Sequence, residues 1–200
     1  MQSVGAGGCG GEWSEGVNTV TFPTLKTPRL RLTEVQVEHA PAIFEILSNP
    51  EVLKYYGMDP FQELAQAENI VQHFKNNFDI KRGLRWAIIN NQDNRFVGTI
   101  GLNNLSLGMK KAEVGFEIHP DFWRSGITSE ALQAILDYAF EELDLHRMGA
   151  VTFLANDASI GLLKKQGFLE EGKLRSYLFQ NGQSHDALVF SLLCEEWHIK

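Results

Sequence analysis

The sequence predicts one α/β (α+β) domain, built on a single mixed sheet of about six to seven strands with helices on both faces. Two observations lead to this prediction. Segments with the two-residue period of strands are interleaved with segments of helical period, and residues 112–140 join a strand, a turn with one glycine and an amphipathic helix. The 200 residues, 44% hydrophobic and 22% charged, suit one ordinary globular domain with its own core.

The predicted elements follow one another in the order strand, two helices, three strands, helix, strand, helix and hairpin. They are a strand at 29–35, helices at 40–47 and 62–78, strands at 84–89, 96–105 and 112–119, a helix at 128–143, a strand at 148–154, a helix at 159–165 and hairpin strands at 174–179 and 184–193. Turn sequences make the three central strands a meander, and Asn181-Gly182 is typical of a hairpin turn. The segment 128–130 offers N-cap options for its helix.

Composition excludes several classes of function. The net charge of −7 and the absence of a dominant basic patch argue against nucleic acid. Two cysteines and six scattered histidines show neither a disulfide framework nor metal-ligand spacing, which fits a reducing cytoplasm. No apolar run approaches the ~20 residues of a membrane span. The acidic balance fits an amine substrate, and it equally fits plain solubility.

The first 22 residues differ from the rest of the chain. They are rich in glycine and have neither the basic nor the apolar region of a signal peptide. This composition predicts a flexible arm or an added leader for residues 1–22, and a single domain for residues 23–200.

The turn from Trp123 to Thr128 is the strongest functional signal. A helix start exposes unpaired N–H groups and the positive end of the helix dipole, which favours a phosphate or pyrophosphate ligand. The turn lacks the Gly-Lys-Ser/Thr ending of a Walker A loop and two of the three glycines of a dinucleotide fingerprint. The pattern therefore predicts a pyrophosphate cradle of another kind.

Five segments, in order, resemble the GNAT superfamily of N-acetyltransferases, most of all its branch with the ribosomal-protein acetyltransferases RimJ and RimL. They are Thr27-Pro28-Arg29-Leu30-x-Leu32, Ala112-Glu113-Val114-Gly115-Phe116-Glu117-Ile118, Trp123-x-x-Gly126-Ile127-x-Ser129-Glu130-Ala131, Asn156-x-x-Ser159-x-x-Leu162-Leu163-x-Lys165-x-Gly167-Phe168 and Asn181-Gly182-x-x-His185-Asp186. The resemblance implies the GNAT fold with a splayed strand pair at the cofactor site. It also implies acetyl-CoA as cosubstrate, and direct attack by a primary amine in a ternary complex.

The resemblance further implies which residues bind acetyl-CoA. The pyrophosphate is expected on the N–H groups of residues 124–128 and the pantetheine arm along residues 117–119, with Gly126 allowing a close approach. The expected set is Ile118, His119, Trp123, Arg124, Ser125, Gly126, Ile127, Thr128, Ser129, Asn156 and Lys165. Arg124 replaces a common glycine and either contacts phosphate or points to solvent, and Thr128 stands where glycine or alanine is frequent.

Two carboxylates are candidates for the general base. Acetyl transfer needs an unprotonated amine, a polarised thioester carbonyl and a stabilised thiolate. Alternation places Glu113 and Glu117 on the same side of the strand that leads to the turn. We favour Glu117, acting through water, because it is nearer the turn. The alternative for either carboxylate is an ion pair with a lysine or arginine of a neighbouring strand.

The proton donor to the thiolate is expected in the segment 156–168. Leu163 stands where the family often has a tyrosine, so Ser159, one turn earlier, is the candidate donor. Ser159 is equally suited to satisfy the backbone of its own helix. Asn156 is suited both to a pantetheine contact and to capping that helix.

The acceptor stays open. The resemblance favours the N-terminal amine of a protein such as a ribosomal protein, and a small amine (an amino acid, a polyamine or an aminoglycoside) or a non-catalytic CoA sensor are the other hypotheses. Of the aromatic residues expected near the acceptor, most belong to the core and one or two line the pocket; they are Tyr55, Tyr56, Phe61, Phe74 and Trp86. No metal, nucleic acid or membrane is expected, and a homodimer in the cytoplasm is compatible with the resemblance.

Overall fold

A computed structural model gives the structure of this chain and describes residues 21–199. The predicted glycine-rich arm therefore lies outside the described residues, except for its last two positions. Phe22, the last of them, packs its ring against Phe78 and Trp86 at centroid distances of 5.0 and 5.3 Å.

Eight strands and six α-helices occur in the described range. The strands are β1 (Leu25–Lys26), β2 (Leu30–Glu34), β3 (Leu84–Asn90), β4 (Phe96–Ser106), β5 (Lys111–Ile118), β6 (Arg147–Phe153), β7 (Leu169–Gln180) and β8 (Gln183–Leu193). The helices are α1 (Ala40–Leu47), α2 (Pro50–Leu53), α3 (Leu64–Asp79), α4 (Ile127–Asp137), α5 (Asp157–Lys165) and α6 (Cys194–Trp197). Between residues 21 and 199 no helix has the length and apolar character needed to cross a bilayer.

All eight strands form one mixed sheet in the order β1-β2-β3-β4-β5-β6-β8-β7. The predicted meander is confirmed, since β3, β4 and β5 are antiparallel neighbours. In the described sheet only β5 and β6 run parallel, and α4 lies between them in the chain. The strand missing from the prediction is β1, whose two residues are too few to show an alternation.

Helices cover both faces of the sheet, as predicted. Along β3, Trp86 and Ile88 belong to a core cluster with residues of α4, whereas Ala87 and Ile89 belong to a second cluster with residues of α1 and α3. Alternate residues of a strand point to opposite faces, so a strand that is largely apolar contributes to both clusters. The sheet is thereby buried on both sides at β3.

Helix α4 begins one residue earlier than predicted. Gly126 is its N-cap residue, with φ of +79°, and no side chain caps the helix. The predicted caps in the segment 128–130 are wrong, because these residues already lie within the first turn. After Asp137 the helix continues as a wider π turn, Tyr138–Glu142.

An ion pair ties together the three strands at one side of the sheet. Arg147 of β6 donates to both carboxylate oxygens of Glu171 on β7, with one N–O distance of 2.7 Å. Ser191 of β8 donates to the same carboxylate at 2.8 Å. The hydrogen bonds from Arg147, and after them the one from Ser191, lower the pKa of Glu171 from 4.5 to about 2.

The depressed pKa of Glu171 predicts a measurable pH dependence of stability. The stability that the ionised Glu171 carboxylate adds to the folded protein is present above the unfolded pKa of 4.5, and it is lost as the pH falls toward the folded pKa of about 2. The free energy of unfolding, measured in urea between pH 5 and 2.5, should therefore fall less for Glu171→Gln than for the unchanged protein. The difference should be modest, since the side chain is 41% exposed. The control is Glu68→Gln, on the exposed side of α3, whose free energy of unfolding should fall with pH as it does in the unchanged protein. If this free energy falls equally in all three proteins, the prediction is contradicted.

Candidate active site

The parallel strands β5 and β6 separate after three residue pairs. Their register ends with Glu113 opposite Gly149. β5 nevertheless continues to Ile118 and β6 to Phe153, so the remaining halves of both strands border a gap. Backbone groups along the two edges of this gap have no strand partner across it, and a ligand with amide groups can bond them. The splayed strand pair implied by the resemblance is confirmed.

A cluster of free N–H groups lies just beyond the end of β5. In the described chain the N–H groups of residues 124–129 donate to no acceptor, and the first helical bond runs from Glu130 N to Gly126 O at 3.1 Å. Both Arg124 and Gly126 have left-handed backbone conformations, with φ of +58° and +79°. Residues 123–126 are exposed. Successive N–H groups in such a turn form a concave anion site, and the start of α4 adds its dipole.

Side chains of the turn itself hold its shape. Trp123 donates its indole N–H to Ile118 O at 2.8 Å, and Ser125 donates its hydroxyl to Phe122 O at 2.5 Å. The ring of His119 accepts from Asp121 N at 3.2 Å and lies 3.4 Å from a carboxylate oxygen of Glu45. Three of the expected cofactor residues, His119, Trp123 and Ser125, thus use their side chains in contacts within the protein.

The back of the turn is bound to the segment before β2. Arg29 donates its Nε to Glu130 at 2.5 Å and its Nη1 to Ser125 O at 3.0 Å. The same Glu130 carboxylate accepts from Arg29 N at 2.9 Å and from the Thr27 hydroxyl at 2.6 Å. Although partial burial opposes it, hydrogen bonds from Thr27 and Arg29 lower the pKa of Glu130 below 4.5. Two of the five resembling segments therefore meet here.

Helix α5 borders the site from the side of β6. Asn156 is its N-cap residue and accepts from Ser159 N at 3.1 Å. Of the two roles predicted for Asn156, its side chain therefore has the role of a helix cap. The Ser159 hydroxyl has no hydrogen-bond partner among residues 21–199. At the other end of α5, Lys165 is exposed, and the buried Gln166 donates to the Ser129 hydroxyl at 2.5 Å. The Ser129 side chain is thus engaged with α5.

Glu117 is buried in a polar network on the α1–α3 face of the sheet. Its side chain lies 3.1 Å from a guanidinium nitrogen of Arg85, and the residue is 3% exposed. The Tyr56 hydroxyl donates to Oε2 at 2.8 Å, and the Thr99 hydroxyl donates to Oε1. Arg85 also donates to Gly115 O at 2.7 Å. The predicted alternative for Glu117, an ion pair within the sheet, is therefore observed, and its partner Arg85 lies on β3, two strands away from β5.

Tyr56 covers the Glu117 carboxylate from the loop after α2. Its partial burial, and then the negative charge of Glu117, raise the pKa of Tyr56 well above its usual 10.0, while Arg85 opposes this change. The hydroxyl therefore stays protonated and keeps donating to Glu117 across the neutral pH range. Among the aromatic residues predicted near the acceptor, Trp86 and Phe61 belong to the core. Tyr56 contacts a candidate catalytic group, the Glu117 carboxylate.

Glu113 has a different environment. It lies where β5 and β6 separate, is only partly buried, and accepts from Asn104 Nδ2 at 3.0 Å. The two carboxylates lie on the same side of β5 by alternation, as predicted, but only Glu113 is in contact with solvent.

The tip of the β7–β8 hairpin is bonded to α2 and the loop that follows it. The buried Gln180 donates to Leu53 O at 2.6 Å and accepts from Gly57 N at 3.0 Å. Aromatic rings fill the space beside this bridge, with Phe153 at 6.0 Å from the ring of Tyr55 and 5.4 Å from that of His185. The hairpin tip and the loop after α2 thus form one wall.

Sequence reasoning missed Arg85, Gln166 and Gln180. Arg85 carried a usable signal, because an arginine inside an otherwise apolar strand needs a buried partner. Gln166 and Gln180 sit beside turns of ordinary composition, and their burial depends on distant segments. No group of three or more acidic, histidine or cysteine side chains that could hold a metal ion occurs within residues 21–199.

The charge and shape of the site fit acetyl-CoA. The free N–H groups of residues 124–129 match a pyrophosphate, and the bordered gap matches an extended arm with amide groups. A family model described as an acetyltransferase (GNAT) domain matches residues 29–169, well over half of the chain.

The chain belongs to the GNAT acetyltransferase family.

This acetyltransferase uses acetyl-CoA and transfers acetyl to an amine. It is 42% identical to YoaA of Bacillus subtilis strain 168, an uncharacterised N-acetyltransferase, over 86% of this chain and 97% of that one. It is 33% identical to YdaF of the same organism, provisionally named a ribosomal N-acetyltransferase, over 72% and 77% of the two chains. The structure of Mycobacterium smegmatis RimJ in complex with CoA-disulfide superposes with a TM-score of 0.78 at 26% identity, covering 87% of each chain. The RimJ/RimL-like branch is thereby shown.

Proposed function

We propose that this acetyltransferase acetylates the N-terminal amine of a protein, with acetyl-CoA lying in the gap between β5 and β6. The observation that carries the donor part of the proposal is the cluster of free N–H groups at residues 124–129, at the open end of that gap. The similarity to YdaF supports a protein acceptor. The Glu117 carboxylate is already paired with Arg85 and is not free to bind a charge of a polyamine, which also favours a protein acceptor.

Donor binding is assigned to the predicted set of residues. The N–H groups of residues 124–128 bind the pyrophosphate, and the free edge of β5 at residues 117–119 bonds the amides of the pantetheine arm. Trp123 and Ser129 act indirectly, because their side chains fix the turn and its contact with α5. Arg124 stands exposed beside the cradle and supplies a positive charge to the phosphates.

The proton of the acceptor ammonium leaves through Tyr56 and Glu117. The Tyr56 oxygen keeps lone pairs while its proton is directed at Glu117 Oε2, 2.8 Å away. It can therefore take a proton from the ammonium as its own proton moves to the carboxylate. Arg85, 3.1 Å from the same carboxylate, holds it in place with a charged hydrogen bond. Glu113 is the second candidate, because it is the carboxylate in contact with solvent.

The neutral amine then attacks the thioester carbonyl carbon. A C–N bond forms, the C–S bond breaks, the attacking nitrogen loses one proton to solvent, and the leaving thiolate takes a proton. The Ser159 hydroxyl, free of other partners in the described chain and near the start of α5, is the proposed donor of that proton. Solvent reprotonates the serine.

Removing the Ser159 hydroxyl should slow turnover. For Ser159→Ala we expect kcat to fall about tenfold, a moderate loss because a thiol of ordinary pKa near 8.5 leaves fairly well without help. Ser159→Thr keeps a hydroxyl and should retain most of the activity. Steady-state release of CoA thiol measures both variants. Ser106→Ala, at the far end of β4, is the matched control, and an unchanged kcat for Ser159→Ala would rule out the assignment.

The acceptor is tested with a panel of amines. Peptides with a free N-terminus should give a kcat/KM at least about tenfold above those of spermidine, free amino acids and an aminoglycoside. Blocking the peptide N-terminus by formylation should abolish turnover. A preference for any small amine would overturn the protein acceptor. Tight CoA binding without turnover of any amine would show a CoA sensor instead of an enzyme.

We also propose a cytoplasmic location and a homodimer. The sparse cysteines support a reducing compartment, and Cys194 is a free thiol in the described chain. Sedimentation of the purified full chain tests the dimer, and a single species of monomer mass over the working concentration range would contradict it.

A further inference from the structure

The contact behind the pyrophosphate cradle fixes the direction of one peptide group. Arg29 Nη1 donates to Ser125 O at 3.0 Å. That carbonyl and the Gly126 N–H belong to the same planar trans peptide, so they point in opposite directions. With its carbonyl held toward Arg29, the peptide aims the Gly126 N–H away from Arg29, to the exposed side of the turn.

The same peptide is free to flip unless something holds it. Rotation of this group changes ψ of Ser125 and φ of Gly126, and glycine adopts positive and negative φ with similar ease. A flipped peptide would turn the Gly126 N–H away and point a carbonyl oxygen toward the phosphates. The position therefore needs an anchor on its carbonyl side.

Glu130 holds Arg29 in place for this contact. It binds Arg29 through both the side-chain Nε at 2.5 Å and the backbone N at 2.9 Å, and it binds Thr27 at 2.6 Å. The guanidinium is half exposed and the Glu130 side chain is 18% exposed. Glu130 lies in the first turn of α4, so these hydrogen bonds join the segment before β2 to the helix that follows the cradle.

We propose that Arg29, oriented by Glu130, is a positioning residue that keeps the Ser125–Gly126 peptide in the orientation that binds the pyrophosphate of CoA. The inference rests on the cradle assigned under Proposed function. Arg29 acts from behind the turn and does not itself contact the phosphates. Its guanidinium borders a cleft of about 400 Å³ on that side. Water from this cleft can satisfy Ser125 O when Arg29 is removed, so the variant should fold and lose only the orientation.

The test measures binding of CoA by titration calorimetry to the full chain and to Arg29→Ala, Arg29→Lys and Glu130→Gln. Arg29→Ala should raise the Kd about tenfold. Arg29→Lys should recover only part of the lost affinity. A single ammonium group cannot donate to Ser125 O and Glu130 at once, as the separate nitrogens of the guanidinium do. The double variant Arg29→Ala/Glu130→Gln should bind no more weakly than Arg29→Ala. Turnover of S-acetylpantetheine, which has no pyrophosphate, and the KM for the acceptor should stay unchanged.

The sign of the Glu130→Gln effect separates positioning from direct phosphate contact. If Arg29 is held by Glu130 to orient the turn, this variant weakens CoA binding. If Arg29 instead binds phosphate, removing a nearby negative charge tightens the binding of CoA, and the proposal is overturned.

The backbone amide resonance of Gly126 offers a second test. It should shift in Arg29→Ala without CoA, and an unshifted resonance also counts against the role of Arg29 as an anchor. Should Gly126→Val leave CoA binding unchanged, the cradle itself is wrong; should it weaken binding while Arg29→Ala does not, only the anchor is wrong.

Discussion

Replacing Glu117 by glutamine should lower kcat by about two to four orders of magnitude at saturating concentrations of both substrates. Glutamine keeps the shape of the side chain and an oxygen that accepts from Thr99 or Tyr56, but its amide takes up no proton at neutral pH. The KM for acetyl-CoA should change little, because the N–H groups of the turn belong to another element. Release of CoA thiol under saturation gives kcat, and thermal melting gives the stability of the same variant.

Controls separate the catalytic role of Glu117 from its structural one. Glu117→Gln leaves Arg85 as an uncompensated buried charge, and breaking such a pair costs about 3–5 kcal/mol of stability. Tyr56→Phe removes the relay hydroxyl and leaves the ion pair intact, so kcat should fall with only a small change in melting temperature. Glu113→Gln should keep kcat within about twofold. A large loss for Glu113→Gln, with near-normal kcat for Glu117→Gln, would move the general base to Glu113.

Gly126→Val should raise the Kd for CoA at least about tenfold, which corresponds to about 1.4 kcal/mol. The glycine has φ of +79°, a conformation that costs a residue with a Cβ about 1–2 kcal/mol and a β-branched one more. A Cβ at this position would have only Arg29 Nη2 near it, at an ordinary 3.5 Å, so lack of space is not the reason. The backbone must relax, and the N–H groups then no longer converge on one anion.

Two further variants test that explanation for Gly126. Gly108→Val is the matched control, because Gly108 has no positive φ and nothing within 4 Å of its added Cβ, in the turn after β4. It should bind CoA like the unchanged protein. Gly126→Asn should lose less affinity than Gly126→Val, since asparagine tolerates the left-handed conformation. Unchanged affinity in Gly126→Val would remove the turn from the binding site.

Local sequence patterns predicted most of the fold. The alternation of 112–118 and the glycine before an amphipathic helix were enough to locate β5, the turn and α4. Where prediction was wrong, the reason was also local. The helix uses Gly126 itself as its N-cap, and a glycine offers no side chain that marks it as one.

The candidate site was predicted less completely, because its contacts join distant parts of the chain. Alternation gave the side of β5 on which Glu117 lies, but Arg85 comes from 32 positions earlier and Tyr56 from 61. No spacing rule connects such residues. Asn156, in contrast, caps a helix three residues away, and that alternative was visible from the sequence.

The bridge made by Gln180 joins the hairpin tip to the loop after α2. The family match ends at residue 169 and contains the proposed pyrophosphate cradle, whereas the hairpin tip that forms the wall with residues 53–57 lies beyond it. The family match therefore contains the proposed donor site, and the wall formed by the hairpin tip belongs to the 31 residues beyond it. We expect changes in the hairpin tip to alter the choice of acceptor and to leave the binding of CoA unchanged, so that one donor site can serve different targets.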